Sequence, residues 1–201
     1  MTLTEDRSAP ATDFSAARRA MIVSQLRTSG VNEPWVLEAM AGVPRENFVP
    51  AELRDAAYID RAVPLGEGKF LGAPLVQGKM LQEAAPAKTD KALIVGDGEG
   101  YLATLLRPLV GSLDAVAPAA ADEAASGAYD LIVIDGAIEV LPDALSARLA
   151  EGGRVVTGVT DRGVTRLAVG TKAGGVTSLL PLAELGIPVL PEFAAPKRWS
   201  F

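Results

Sequence analysis

Three glycines at alternate positions, Gly96, Gly98 and Gly100, separate two apolar runs in the stretch Ala92–Leu106. A turn of this kind, leading from a strand into a helix, offers backbone N–H groups to a ligand. Here Asp97 and Glu99 fill the gaps between the glycines. Two carboxylates oppose a phosphate at a helix N-terminus, a place where an anion is otherwise stabilised. The dinucleotide fingerprint needs glycine where Tyr101 stands, and the Gly-Lys-Ser/Thr of a phosphate cradle is missing. The turn therefore suits a cationic or zwitterionic ligand without phosphate. The plainer reading is that the glycines serve only a tight turn and close helix–strand packing. Asp135, followed by Gly136 at the end of the apolar run "YDLIVID", is a second candidate for ligand contact. Asp135, Glu139 and Asp143 are four residues apart, the spacing of carboxylates that could share a hard cation on one helix face. Pro142 and the preceding strand break such a helix, so Asp143 reads as an acid in a helix's first turn and no metal site is expected.

The residue types that are absent narrow the chemistry further. There is no histidine and no cysteine, which removes the commonest general base, the commonest metal ligand, thiolate nucleophiles and disulfides. Carboxylates, hydroxyls, lysines and backbone groups remain. The 201 residues carry 19 basic and 25 acidic side chains, a net charge of -6, without a dense basic cluster, so nucleic acid is not an expected partner. Trp35, Trp199 and Phe201 read as packing residues, since only Lys197 and Arg198 interleave with them. No run approaches the length of a membrane-spanning helix and the first residues lack an apolar signal core. A soluble, cytoplasmic protein is expected.

The elements that must position these residues follow from periodicity. Residues 1–13 read as a flexible lead. Residues 14–90 read as a helical part: a helix over Phe14–Ser29 capped by Gly30, a second after Asn32 as N-cap, a short one near Ala51–Ala57, a glycine-rich loop over 60–73, and a helix from Pro74 to Ala85. From residue 91 strands and helices alternate. "KALIV", "LDAV", "YDLIVID" and "GGRVVTGVT" read as strands, and the alternation around Gly174-Gly175 predicts a hairpin. The expected fold class is α/β, a mostly parallel sheet with helices on both faces, whose ligands sit beyond the strands' carboxyl ends.

The stretches "AMIVSQLRTSGVNEPWVLEAMAGVPRENFVPAEL", "AYIDRAVPLGEG", "VGDGEGYLATLL" and "AYDLIVIDGA...LPDALSARLAEGGRVV" together resemble the protein-L-isoaspartate O-methyltransferase family over about residues 18–160. The resemblance implies a class I, Rossmann-like methyltransferase fold. It further implies S-adenosylmethionine as cofactor and methyl transfer to the carboxylate of isoaspartyl residues in damaged proteins. Gly96, Gly98, Gly100 and Tyr101 match the family's cofactor turn, while Asp97 and Glu99 stand where small hydroxyl residues are usual. Other positions depart. Ile94 and Ala117 occupy places where the family has acids, the second of them for the ribose hydroxyls. Asp114, three residues earlier, points to the opposite face, roughly 10 Å away. "KFLGAP" stands for the family's "T-I-S-Q-P", so that Gly72 replaces the substrate-contacting serine and Ala73 the glutamine. Only residues 96–129 separate two core strands, too few for the family's additional strand and helix. The expectation is a shortened member with a degraded site. A non-catalytic relic that binds or self-associates is the second reading.

Overall fold

The computed structural model describes residues 13–123 and 127–195. Most of the expected lead, together with Lys197, Arg198, Trp199 and Phe201, lies outside the described residues. The first helical stretch runs as α1 (Ser15–Met21) into a π-type turn, Ile22–Leu26, and a 3-10 turn, Arg27–Ser29. Gly30, at φ 81°, ends it in the left-handed conformation glycine adopts without strain. Helix α2 spans Pro34–Gly42. Its N-cap is Glu33 rather than the expected Asn32, and no side chain caps it. Pro34 presets the first turn and needs no donor partner, which lessens the demand for a cap. Residues 45–48 and 51–56 form 3-10 turns.

The glycine-rich stretch 60–73 is not a plain loop. It holds an antiparallel hairpin of β1 (Val63–Gly66) and β2 (Lys69–Leu71). Glu67 and Gly68 both take positive φ at its tip, the backbone that matches the twist of a two-residue hairpin turn. Helix α3 follows over Pro74–Ala84.

The core strands are β3 (Lys91–Val95), β4 (Ser112–Val116), β5 (Tyr129–Ile138), β6 (Leu149–Asp161), β7 (Val164–Ala173) and β8 (Val176–Glu184). Between them lie α4 (Tyr101–Leu106) and α5 (Asp143–Arg148). The sheet order is β4-β3-β5-β6-β7-β8, with the first four strands parallel and the last two antiparallel. Asp143 does stand in the first turn of α5.

Period-two alternation divides the sheet's apolar residues between two cores. Ala92, Ile94, Leu131 and Val133 pack against the N-terminal helices, α3 and α4. Leu93, Val95, Ile132 and Ile134 face the other way, onto Leu145 of α5 and Phe193. β4 is an edge strand, and the link to β5 supplies one 3-10 turn, Pro118–Glu123, among the described residues. Among the described residues the sheet thus has six strands. After β8 the chain doubles back over the sheet's carboxyl edge: Ala137 N–H donates to Pro188 O at 2.7 Å, and Leu190 N–H to Ala137 O at 2.8 Å.

Candidate functional site

The carboxyl ends of β3, β4 and β5 open into a cleft of about 600 Å³. Gly96, Asp97 and Gly98 form its floor with Asp135; Ala115–Ala119 make one wall. The β1–β2 hairpin overhangs it through Leu65–Phe70, and the returning C-terminal strap, Ile187–Glu192, closes the opposite side. Glu67, Asp97, Asp135 and Glu192 line it against a single lysine, Lys69. Electrostatically it favours a cation-bearing ligand.

The glycine turn has steric reasons for its composition. A Cβ on Gly98 would lie 2.7 Å from the Ala115 Cβ, and one on Gly96 would lie 3.1 Å from the Asp135 Cβ. The first contact is closer than side-chain carbons tolerate and the second is tight, so the turn sits flush on its neighbours because Gly96 and Gly98 lack side chains. The Asp97 carboxylate accepts a hydrogen bond from Glu99 N–H at 3.0 Å, and Gly100 N–H donates to Asp97 O at 3.0 Å. Asp97 therefore builds the turn as well as facing the cleft. Glu99 points outward, its side chain 95% exposed and 3.6 Å from Arg107. Gly100 is the N-cap of α4. Gly72, Gly96, Asp97, Gly98 and Asp135 meet in the cleft, whereas Ala73, Glu99 and Gly100 are not among its lining residues.

Ala117, where the resemblance implies an acid for the ribose, lies in the wall between Val116 and Pro118. Asp114 is turned away, as the strand alternation required: it accepts from the Tyr129 hydroxyl at 2.9 Å and lies 3.9 Å from Lys91. Asp135, Glu139 and Asp143 do not gather, and no cluster of carboxylates suited to a metal occurs among the described residues. Glu139 instead accepts from Ala195 N–H at 2.7 Å.

Two buried residues beside the cleft carried no signal in the linear reading. Arg45, fully buried, donates through Nε to Ala57 O at 2.8 Å, through Nη1 to Gln77 Oε1 at 2.6 Å and through Nη2 to Gly72 O at 2.7 Å. Its guanidinium lies 4.6 Å from the Tyr101 ring centre. Burial pulls the Arg45 pKa down, with Tyr101, Tyr58 and Asp135 opposing the shift. Burial likewise pushes the Tyr101 hydroxyl up to about 12, against the Arg45 charge. Asp135 is partly reachable from the cleft but otherwise walled by protein. That enclosure raises its pKa to about 6; Arg45 and Gln77 counter the rise and Asp97 adds to it. Gln77 Nε2, also buried, has no acceptor at bonding geometry, although it lies close enough to Asp135 to lower its pKa. The clues were an arginine inside the apolar "VPRENFVP" and a glutamine on the buried side of α3.

The chain as a whole has relatives of known name. A sequence model of the protein-L-isoaspartate(D-aspartate) O-methyltransferase family matches residues 17–118. The protein-L-isoaspartate O-methyltransferase of Aeropyrum pernix is 36% identical over 214 residues, covering 90% of this chain and 82% of the relative. That of Rhodopseudomonas palustris, numbered 1, is 34% identical over 184 residues, 78% of this chain and 75% of the relative. The Aeropyrum alignment is longer than the 201-residue chain itself, so that relative carries internal residues missing here. Among solved structures, the Plasmodium falciparum protein-L-isoaspartate O-methyltransferase in complex with S-adenosyl-L-homocysteine superimposes with a TM-score of 0.71 at 17% identity. It is covered in full and takes in 90% of this chain. The fold is thus that of these methyltransferases, and the chain belongs to the protein-L-isoaspartate(D-aspartate) O-methyltransferase family.

Proposed function

We propose that the chain binds S-adenosylmethionine in the β3–β4–β5 cleft and methylates the side-chain carboxylate of isoaspartyl residues in damaged proteins. The observation that carries the cofactor half is the acidic, side-chain-free floor at Gly96–Gly98. It accepts close approach of a ligand and complements a sulfonium and an ammonium rather than a phosphate. The cleft volume falls within the usual span of small-molecule sites. The residues fit the cofactor in charge and size, with Gly96, Asp97, Gly98 and Asp135 as its holders. Ala117 supplies no ribose hydrogen bond, so affinity is expected to be weaker than a carboxylate there would give. The bound cofactor supplies the methyl group. The protein's task is to orient the acceptor, because a carboxylate is already ionised at neutral pH and needs no base. That task suits a chain without histidine.

The acceptor half rests on family membership. Damaged proteins in the same aqueous compartment, the cytoplasm, are the proposed substrates. No helix among the described residues is long and apolar enough to cross a membrane. One assay pair tests the whole reading: calorimetric titration with S-adenosylmethionine, and transfer of labelled methyl to an isoaspartyl peptide. Binding with turnover is expected, and absence of both rejects it. Gly72, Ala73 and Ala117 favour one competing reading, a fold that has lost catalysis and acts as a binding or self-association module. Val176 and Leu180, each 65% exposed on the edge strand β8, would be its contact surface. Binding without turnover, or a stable oligomer formed by an inactive protein, would favour it.

A further inference from the structure

A cleft that suits a cation must also admit an anion, because the methyl acceptor is a carboxylate. Glu67, Asp97, Asp135 and Glu192 already line it, and the cofactor's own carboxylate offsets one of its two cations. An acceptor entering this surround meets net repulsion, which a nearby cation can offset. Among the described lining residues that cation is Lys69. The hairpin sets it in place. Glu67 and Gly68 make the tip, and Lys69 is the first residue of β2. Side chains alternate along a strand, so Lys69 shares a face with Leu71, which is buried in the core beneath the hairpin. Leu71 meets that core near the hairpin's base, while Lys69, farther out, meets the cleft. Gly66 stands opposite Lys69 in register, so no side chain from β1 crowds it. The other described lysines are engaged: Lys79, Lys88 and Lys172 donate to backbone carbonyls, and Lys91 pairs with Asp114. The Lys69 ammonium alone among them makes no ion pair or hydrogen bond within the described residues, although Glu67 is only two residues away.

We infer, on the isoaspartyl reading above, that Lys69 docks the acceptor: its ammonium takes the carboxylate that is to be methylated, from the overhang that faces the cofactor's glycine floor. The overhang continues through Leu71 into Gly72, where the resemblance implies an acceptor contact and this chain has no side chain to make one. A compact charge on a flexible stem replaces the lost hydroxyl and can follow the acceptor as it settles. Methyl transfer then dissolves the contact. A carboxylate oxygen gains the methyl group and becomes part of a neutral ester, while the electron pair of the broken carbon–sulfur bond stays with the cofactor. Lys69 thus holds the acid and lets the ester go.

Lys69→Met and Lys69→Gln remove the charge from an exposed position, and Lys69→Arg keeps it. Each is compared with the wild type in its KM for an isoaspartyl peptide and in its Ki for the same peptide carrying a carboxamide in place of the carboxylate. The two neutral variants are expected to raise KM about tenfold, the lower end of what a hydrogen bond to a charged group contributes, because the site is open to water. Their Ki for the carboxamide and their affinity for S-adenosylhomocysteine should stay near the wild-type values, and Lys69→Arg should restore most of the loss. Equal losses for acid and carboxamide would show that the lysine only shapes the hairpin, and an unchanged KM would show that its ammonium stays in solvent; either overturns the inference. A tenfold fall in S-adenosylhomocysteine affinity would assign the lysine to the cofactor's carboxylate and overturn it too. If the wild type binds S-adenosylhomocysteine but neither methylates the peptide nor retains it, the isoaspartyl reading falls and takes this inference with it.

Discussion

Replacing Asp135 by asparagine should make the protein more stable at neutral pH. Burial at the cleft floor outweighs the attraction of Arg45 and the contact with Gln77, and raises the pKa of this carboxyl from 3.8 to about 6. The folded state therefore binds the proton more tightly than the unfolded chain. Between about pH 4 and pH 6 the folded protein holds more protons, so stability falls as pH rises through that window. The shift of about 2 units corresponds to about 3 kcal/mol at pH 7. Asparagine keeps the size of the side chain and removes the charge. Urea unfolding of wild type and Asp135→Asn, measured from pH 4 to pH 8, should show the two nearly equal at pH 4. The variant should be ahead by about 3 kcal/mol at pH 7. A gain independent of pH, or none at pH 7, would refute the reasoning. The same variant should bind S-adenosylmethionine more weakly, since the carboxylate that strains the fold is the one that faces the cation. Stability and ligand affinity are expected to move in opposite directions.

Gly98→Ala should lower S-adenosylhomocysteine affinity about tenfold or more by calorimetry, because the added carbon lands 2.7 Å from the Ala115 Cβ and lifts the turn. The double variant with Ala115→Gly removes the clash and should recover most of the loss. Arg45→Met strands the oxygens of Ala57, Gly72 and Gln77 and should cost about 4 kcal/mol in denaturant unfolding. Arg45→Lys should rescue little, as one ammonium cannot span three segments. Gly136→Ala puts a carbon 2.5 Å from Leu190 Cγ. It should loosen the C-terminal strap, seen as faster proteolytic cleavage after residue 184 while the sheet stays folded.

The alternating strands were readable because β3 and β5 are buried on both faces and leave nearly unbroken apolar runs. The β1–β2 hairpin was not, since strands of four and three residues, one with Pro64 inside it, are too short to display a period. The glycine turn announced itself through composition, and Asp135 through its place at a strand end. Glu99 looked equivalent to Asp97 in the string, yet the turn directs one carboxylate inward and the other into solvent. The pairing of Arg45 with Gln77 spans 32 residues and exists only once the N-terminal turns pack on α3. The strap at 187–191 has no regular period, and its position depends on backbone hydrogen bonds to Ala137 that no side chain signals.

That strap carries a temporal consequence. It is made after every strand it leans on, so a chain cut back to residue 184 keeps its complete sheet but has only a three-sided basin. Ligand capture therefore waits on residues 187–192, and losing them would disarm the protein without unravelling it.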